Sequence, residues 1–273
     1  MSSPNIEAKI KARDTYNAAA DCFDNSPLAF WAKYGRKTVE RLSLDPGSKV
    51  LDVACGTGAS ALPAGEIVGC TGKVAGIDIS ENMLKLARIK AWELNLCNTE
   101  FVLGDMSELA YKDESFDAVV CVFAIFFMPD MEEQVRELWR KVKPGGKLAV
   151  TTWGHDLFEP VYNNWKNAVK SVNPELYCAF NPWDRISKPE SLKKLMEDAG
   201  TTNITVEPEE GKQPIESAED WWTIALGSGL RWTIDQLMQD EQDRVRESNL
   251  RWVDKNNVTA VDTNVIYAVA EKI

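Results

Sequence analysis

The chain has one histidine, His155, among 273 residues, and its six cysteines form no C-x-x-C pair. Structural zinc takes four closely spaced Cys or His ligands, so no metal site is expected. Cys22, Cys55, Cys70, Cys97, Cys121 and Cys178 are scattered, as reduced thiols are, rather than arranged as a disulfide framework. Basic residues are also few: 31 Lys and Arg stand against 42 Asp and Glu, for a net charge of −11. Phosphate backbones and anionic lipid surfaces are met by Lys and Arg, and no such cluster exists. No run approaches the roughly 20 apolar residues of a membrane helix, and the first residues lack the pattern of a signal peptide. The expectation is a cytoplasmic protein that engages neither nucleic acid nor membrane. With 44% hydrophobic residues, the chain can bury the core of one large α/β domain, or of a domain plus a cap.

What is present is most informative at Val50-Leu51-Asp52-Val53-Ala54-Cys55-Gly56-Thr57-Gly58. An apolar strand pattern carries an acid, breaks at two glycines, and passes directly into the helical pattern Ala59-Ser60-Ala61-Leu62. Glycine permits a tight turn and close approach of a ligand. A carboxylate before that turn suits an ammonium or hydroxyl group, not a phosphate. A second acid, Asp78, ends Val74-Ala75-Gly76-Ile77, 20 residues past Gly58, where a ribose-binding acid stands in a βαβ nucleotide unit. A third, Asp105, follows Phe101-Val102-Leu103-Gly104. Acids ending three successive strands suit a ligand with an amino acid end, a ribose and an amino-substituted purine. S-adenosyl-L-methionine has these parts and no phosphate.

The motif train resembles the class I SAM-dependent methyltransferases, in particular the small-molecule group similar to the ubiquinone/menaquinone-biosynthesis methyltransferases. The matching pieces are Val50–Gly58, Gly76–Ser80, Gly104-Asp105-Met106, Ser115-Phe116-Asp117-Ala118-Val119-Val120 and Leu138–Gly146, in the family's order over about residues 45–153. The resemblance implies an α/β, doubly wound, mostly parallel seven-stranded sheet of the Rossmann-like methyltransferase fold, with an antiparallel last strand and a helical cap. Residues 1–45 read as an N-terminal helical lid, 46–153 as the SAM-binding core, and 154–273 as the rest of the sheet with an aromatic-rich cap. Strands are expected near 49–54, 73–78, 100–103, 117–122 and 147–153, then at Ile204–Glu207 and Asn264–Ala270. Pro144-Gly145-Gly146 reads as a turn into the fifth strand, and Ser80 and Ser187 as helix caps. A helical insertion with Trp221, Trp222, Trp232 and Trp252, about 216–256, splits the terminal hairpin.

Each candidate site residue has a functional and a structural reading. Asp78 accepts from both ribose hydroxyls, or is a solvated acid beside a helix dipole. Asp52 orients the ammonium end through the loop or a water, or braces the loop. Gly56 and Gly58 open the turn. Asp105 accepts from the adenine amino group with the Met106 amide near the ring, or is a turn acid. Ile79 and Met83 face ribose and adenine, Met83 being equally suited to core packing. The resemblance implies that the Val122 carbonyl faces the methionine end; the phenylalanines after it line a pocket or fill core. His155, past the fifth strand, suits a general base or is a surface histidine. Tyr16 closes over the active site from the N-terminal helix. Trp153, Phe158, Trp165, Tyr177, Phe180 and Trp183 suggest a cap for an apolar or aromatic small-molecule methyl acceptor, or a cationic one over rings. Oligomeric state is left open.

Two rivals stand beside this reading. Gly56-Thr57-Gly58-Ala59-Ser60-Ala61 also fits the G-x-G-x-x-A of NAD-dependent oxidoreductases, although Asp52, Asp105 and the split hairpin weigh against it. A non-catalytic SAM-fold interaction module would show an exposed Trp-rich patch in the insertion.

Overall fold

The computed structural model describes residues 4–177 and 181–273; Cys178 and Phe180 lie outside the described residues. Helix α1 (Pro4–Ala19) and helix α2 (Phe30–Glu40) precede the first strand. There follow β1 (Lys49–Val53), α3 (Ala61–Val68), β2 (Lys73–Asp78), α4 (Glu81–Glu93), β3 (Thr99–Leu103), β4 (Phe116–Val122), α5 (Met131–Lys141) and β5 (Val142–Trp153). The second half comprises α6 (Val161–Val172), α7 (Pro189–Asp198), β6 (Thr205–Glu209), β7 (Lys212–Pro214), α8 (Ala218–Leu226), α9 (Arg231–Ile234), α10 (Gln239–Lys255), β8 (Ala260–Asp262) and β9 (Val265–Glu271).

Seven strands form one sheet in the order β3-β2-β1-β4-β5-β9-β6, and β7 pairs with β8 separately. Neighbours from β3 to β5 are parallel; β9 is antiparallel to both β5 and β6. Alternate side chains leave opposite faces of a strand. Leu51, Val53, Val119 and Cys121 enter one core cluster, while Val50, Ala118 and Val120 enter another across the sheet. Both faces are covered, which is why these strands read as continuous apolar runs. The strand order reverses between β1 and β4, so the crevice at their carboxyl ends is the place for a ligand.

Two local expectations are corrected. Pro144-Gly145-Gly146 lies inside β5, where the pairing with β4 shifts register between Phe116 and Ala118 and Gly145 takes φ +77°. The cap of α7 is Lys188; Ser187 instead donates its hydroxyl to the Asp184 carbonyl at 3.2 Å. The insertion α8–α10 buries α8 most deeply and one face of α10. Trp221 and Trp222 are buried, and Trp221 Nε1 donates to Asn249 Oδ1 at 3.0 Å.

Helix α2 holds the glycine loop in place. Phe30, Trp31, Tyr34, Gly35, Thr38 and Val39 form its buried stripe at helical spacing. Thr38 Oγ1 is 2.7 Å from Thr151 Oγ1, and the Tyr34 hydroxyl is 2.9 Å from Thr263 Oγ1. Gly35 abuts the loop itself: a methyl group there would land on the backbone carbonyl of Ala59. Gly35→Ala is therefore expected to destabilise the protein by about 1–3 kcal/mol, the usual cost of overpacking. Denaturant unfolding checks this, and an unchanged midpoint would show that α2 does not clamp the loop.

Candidate active site

A cavity opens at the carboxyl ends of β1, β2, β3 and β4. Its floor is the stretch Ala54–Thr57 with Ala59 and Ser60, then Ile77–Ile79 with Met83, then Gly104–Met106. Val122, Phe123 and Ala124 close one side with Phe127 and Met128. Lys9, Ala12 and Tyr16 of α1 form the roof, and Phe23 and Trp31 complete an aromatic wall.

Two non-glycine residues on this lining adopt left-handed backbone: Ala54 at φ +59° and Phe123 at φ +54°. Such conformations cost of order 1–3 kcal/mol each and cluster at functional sites. They end β1 and β4, the two strands that flank the switch point. Gly56 is also left-handed, at φ +54°, and a Cβ on it would meet nothing within 4 Å because it faces the cavity. Gly58, at φ +89°, does not line the cavity; a Cβ there would strike Leu62 Cγ at 2.8 Å.

Asp78 is 8% exposed and organises the floor. Its Oδ2 accepts from the Gly56 amide and its Oδ1 from the Ser80 amide, both at 2.8 Å. Burial pushes its pKa up, against the lowering effect of the Ser80, Gly56 and Ile79 amides. Ser80 caps α4 by accepting from the Met83 amide at 3.2 Å, and its hydroxyl donates to Asn17 Oδ1 at 2.8 Å. Asn17 also holds Asn82 by two hydrogen bonds, so α1 is fastened to the start of α4. Thr57 is fixed by Asp24 at 2.9 Å and by Lys90 Nζ at 2.7 Å.

Asp52 lies beneath the loop rather than on the lining. Oδ2 accepts from the Ser60 hydroxyl at 2.7 Å, while Oδ1 is buried without a partner. Burial, helped by the nearby Asp78 charge and opposed by Ser60, pushes its pKa up to about 7. This is the position of a loop-bracing acid.

Asp105 and Met106 line the cavity, and Asp105 is already engaged. Lys9 Nζ lies 2.7 Å from Oδ2, and the Ser107 amide donates to Oδ1 at 2.8 Å. Partial burial raises its pKa, but the Lys9 ammonium and the Ser107 bonds win and hold it below the usual carboxylate range. Tyr16 packs edge-on against Phe127 and Phe23. Burial and then the Asp78 charge push its phenol upward, so it stays a hydroxyl at neutral pH. Cys55 is likewise held as a thiol, by burial first and then by the Asp52 and Asp78 charges. Ile79, Met83 and Val122 stand on the lining.

His155 is not brought to the cavity. Gly154 donates its amide to the Asn264 carbonyl at 2.7 Å, and Asn264 Nδ2 donates to the His155 carbonyl at 3.0 Å. The chain leaving β5 is thereby tied to the start of β9. The imidazole is turned to solvent, 67% exposed, with Nδ1 2.7 Å from Asp156. The expected cap also differs. Trp153, Phe158 and Trp165 are core, and Tyr177 and Trp183 lie off the lining. Trp153 instead stacks behind Phe123, with ring centroids 3.9 Å apart. The residues missed by local reading, Lys9, Asn17, Asp24 and Lys90, act through contacts 33 to 98 positions away, beyond the reach of motif spacing.

The model of the ubiE/COQ5 methyltransferase family matches residues 13–182. The chain belongs to that family. S-adenosyl-L-methionine is its cofactor, and the assignment displaces the oxidoreductase reading. Relatives include the demethylmenaquinone methyltransferases of Listeria monocytogenes, 38% identical over 144 residues, covering 52% of this chain and 59% of theirs. The Oceanobacillus iheyensis protein of the same name is 42% identical over 126 residues, covering 45% and 53%. The chain thus matches less than two thirds of the length of these curated relatives. Among solved structures, a candidate methyltransferase from Bacillus halodurans shares the fold with TM-score 0.58 at 22% identity, covering 88% of this chain and 99% of that one. Phosphoethanolamine N-methyltransferase 2 of Haemonchus contortus, solved with S-adenosyl-L-methionine, gives TM-score 0.56 at 20% identity, covering 94% and 56%. Among the described residues no helix is long and apolar enough to cross a membrane, and no group of three or more His, Cys, Asp or Glu is placed to hold a metal ion.

The raised Asp52 pKa carries a sign. Folding holds a proton there more tightly than the unfolded chain does, so Asp52 contributes stability at low pH that is lost as pH rises from about 4 to about 7. Asp52→Asn keeps an acceptor for Ser60 and removes the titration. The stability of the variant relative to wild type is expected to climb by a few kcal/mol across that window and level off above it. Denaturant unfolding at several pH values reads this directly; a pH-independent difference would refute the assignment.

Proposed function

We propose that this protein moves a methyl group from S-adenosyl-L-methionine to a small quinol-type ring acceptor. The observation that carries the reading is one cavity with two halves. One half gathers the three strand-end regions of the methyltransferase motifs, and the other is walled by Phe23, Trp31, Phe123 and Phe127. The name of the relatives, demethylmenaquinone methyltransferase, supports a quinone-type ring as the acceptor. In this reading a ring carbon gains the methyl, and the proton it bore passes to solvent as the product regains its aromatic ring.

The residues present fit the cofactor. Asp78 uses one lone pair of each oxygen on a backbone amide, which leaves others for ribose hydroxyls. Gly56 leaves open the space that a side chain would fill, on the path assigned to the methionine end. Ile79 and Met83 supply apolar walls, Asp105 and Met106 bound the adenine end, and the Val122 carbonyl faces the methionine part. Asp52 acts through Ser60 on the loop. Bound there, the cofactor supplies a methyl group activated by positive charge on sulfur. The chain's task is then to hold the acceptor in line and keep the site dry, with Tyr16 and Lys9 of α1 closing the roof. His155, which suited either a general base or a surface histidine, stands exposed and off the lining, so this reading leaves the transfer to positioning and desolvation.

The test is to incubate the protein with S-adenosyl-L-methionine and a short-chain demethylmenaquinol, following S-adenosylhomocysteine and a product heavier by one CH2. Cofactor binding by calorimetry without transfer would sink the acceptor; absent binding would sink the whole reading. Asp78→Ala should weaken cofactor binding more than about tenfold, since hydrogen bonds to a charged group contribute roughly 1.5–3 kcal/mol each. His155→Ala should stay within about threefold of the wild-type rate, whereas loss of a true base costs about 10²–10⁴.

A further inference from the structure

We propose that Asp52 is the residue by which this site tells the charged cofactor from its uncharged product: it stays protonated beside a neutral sulfur and ionises beside a sulfonium. The inference rests on the cofactor placement proposed above and does not depend on the acceptor. Asp52 is 1% exposed, and its Oδ1 has no hydrogen-bond partner among the described residues. Its Oδ2 accepts from the Ser60 hydroxyl at 2.7 Å. A carboxyl group so buried and so thinly hydrogen-bonded favours its neutral form, and the nearby Asp78 charge adds to this. The carboxyl group does not touch the cavity and need not. Ser60 and Cys55 line it, so Asp52 stands one hydroxyl behind the surface. A ligand atom about 3 Å from that hydroxyl lies within about 6 Å of Oδ2. At such a range an opposite charge favours the ionised form of a carboxyl group by about ten- to a thousandfold.

S-adenosyl-L-methionine and S-adenosylhomocysteine share adenine, ribose and an amino acid end whose ammonium and carboxylate cancel. They differ by one methyl group and the positive charge on sulfur. A hydrogen-bond acceptor cannot read that difference, because neither sulfur carries a proton to donate; a charge can. With the sulfonium bound, the Asp52 proton passes to solvent and the carboxylate holds the cation. Once the methyl has left, the sulfur is neutral, Asp52 takes a proton back, and the hold on the product loosens. The groups that face Asp52 leave this role to it. Asp78 stands past β2, tied to two amides. Cys121 on β4 is pushed up to about 12, by burial first and then by the Asp52 charge, and Cys55 on the loop is also raised, with Arg88 of α4 opposing. Helix α3 offers the Ala61 amide, and the Tyr16 phenol of α1 stays protonated. Both thiols and the phenol are therefore neutral near pH 7, where Asp52 changes charge.

The test measures the affinities of S-adenosyl-L-methionine and S-adenosylhomocysteine by calorimetry from about pH 5 to pH 8, with no acceptor present. At the acid end both ligands meet a neutral Asp52, and the preference for the charged one is smallest. It is expected to climb about tenfold or more as pH rises and to level off above about pH 7, where Asp52 is ionised with either ligand. Asp52→Asn keeps an acceptor for Ser60 and cannot ionise, so its preference should stay at the acid-end value throughout. A cooperative unfolding transition establishes that the variant is folded. A second measurement needs no variant: near pH 6, titrations of wild type in two buffers of unlike ionisation enthalpy should show more proton released by S-adenosyl-L-methionine than by S-adenosylhomocysteine. A preference that does not change with pH, or equal proton release by the two ligands, overturns the role of Asp52. The same rise in the folded Asn variant also overturns it and assigns the titration to Asp78. If neither ligand binds wild type, the cofactor placement fails and takes this inference with it.

Discussion

A single buried carboxylate sets the geometry on which this site depends. Asp78 accepts one hydrogen bond from the amide at the turn after β1 and another from the amide that opens α4. Desolvation of a carboxylate is costly, and two amide donors offset it only if both chain segments stay where they are. The acid therefore works as a clamp between two βα units as well as a surface for a ligand. Its reach is extended through Ser80 to Asn17, so the roof helix is registered against the same carboxylate. Asp52 sits a strand away and carries the electrostatic cost of that arrangement, since the Asp78 charge helps keep its proton on.

Strain and stiffness are distributed around that clamp. The backbone of Ala54 and Phe123 is held left-handed by what surrounds it, with Phe123 stacked on Trp153 and edge-on to Trp31. One wall of the cavity is thus a rigid aromatic stack, and the opposite wall is a set of short polar links. Preorganisation of this kind lowers what a ligand must spend on ordering the protein.

The parallel half of the sheet was legible because strands buried on both faces are apolar throughout, and because Asp78 follows a strand at a spacing that topology dictates. Gly56 was legible for the same reason: a left-handed turn at the mouth of a ligand crevice calls for glycine. His155 misled because position along a strand does not fix where a side chain points after it. That direction is set by Asn264, 109 residues later, and no local pattern encodes the pairing. The cap misled similarly. Aromatic residues after β5 and aromatic residues before β1 look alike in composition, and only packing decided that the earlier group faces the cavity while the later group fills core. The helix α7 cap shows the smaller version of this error, Ser187 bonding back to Asp184.

The position of β9 has a consequence for how the chain assembles. It lies between β5 and β6, pairing Ala149 with Val269 on one side and Val206 with Ala268 on the other. During synthesis β6 emerges with no strand beside it and must wait through three helices for its neighbour. Until then β5 is an open edge of the four strands and helices that already form the cavity floor. Unpaired edges of that kind are where growing chains associate wrongly. Helices α8 and α10 pack on each other, and α10 also packs on α6, so the segment between β6 and β9 has structure of its own. Residues 210–264 thus stand between β6 and the strand that joins it to the sheet.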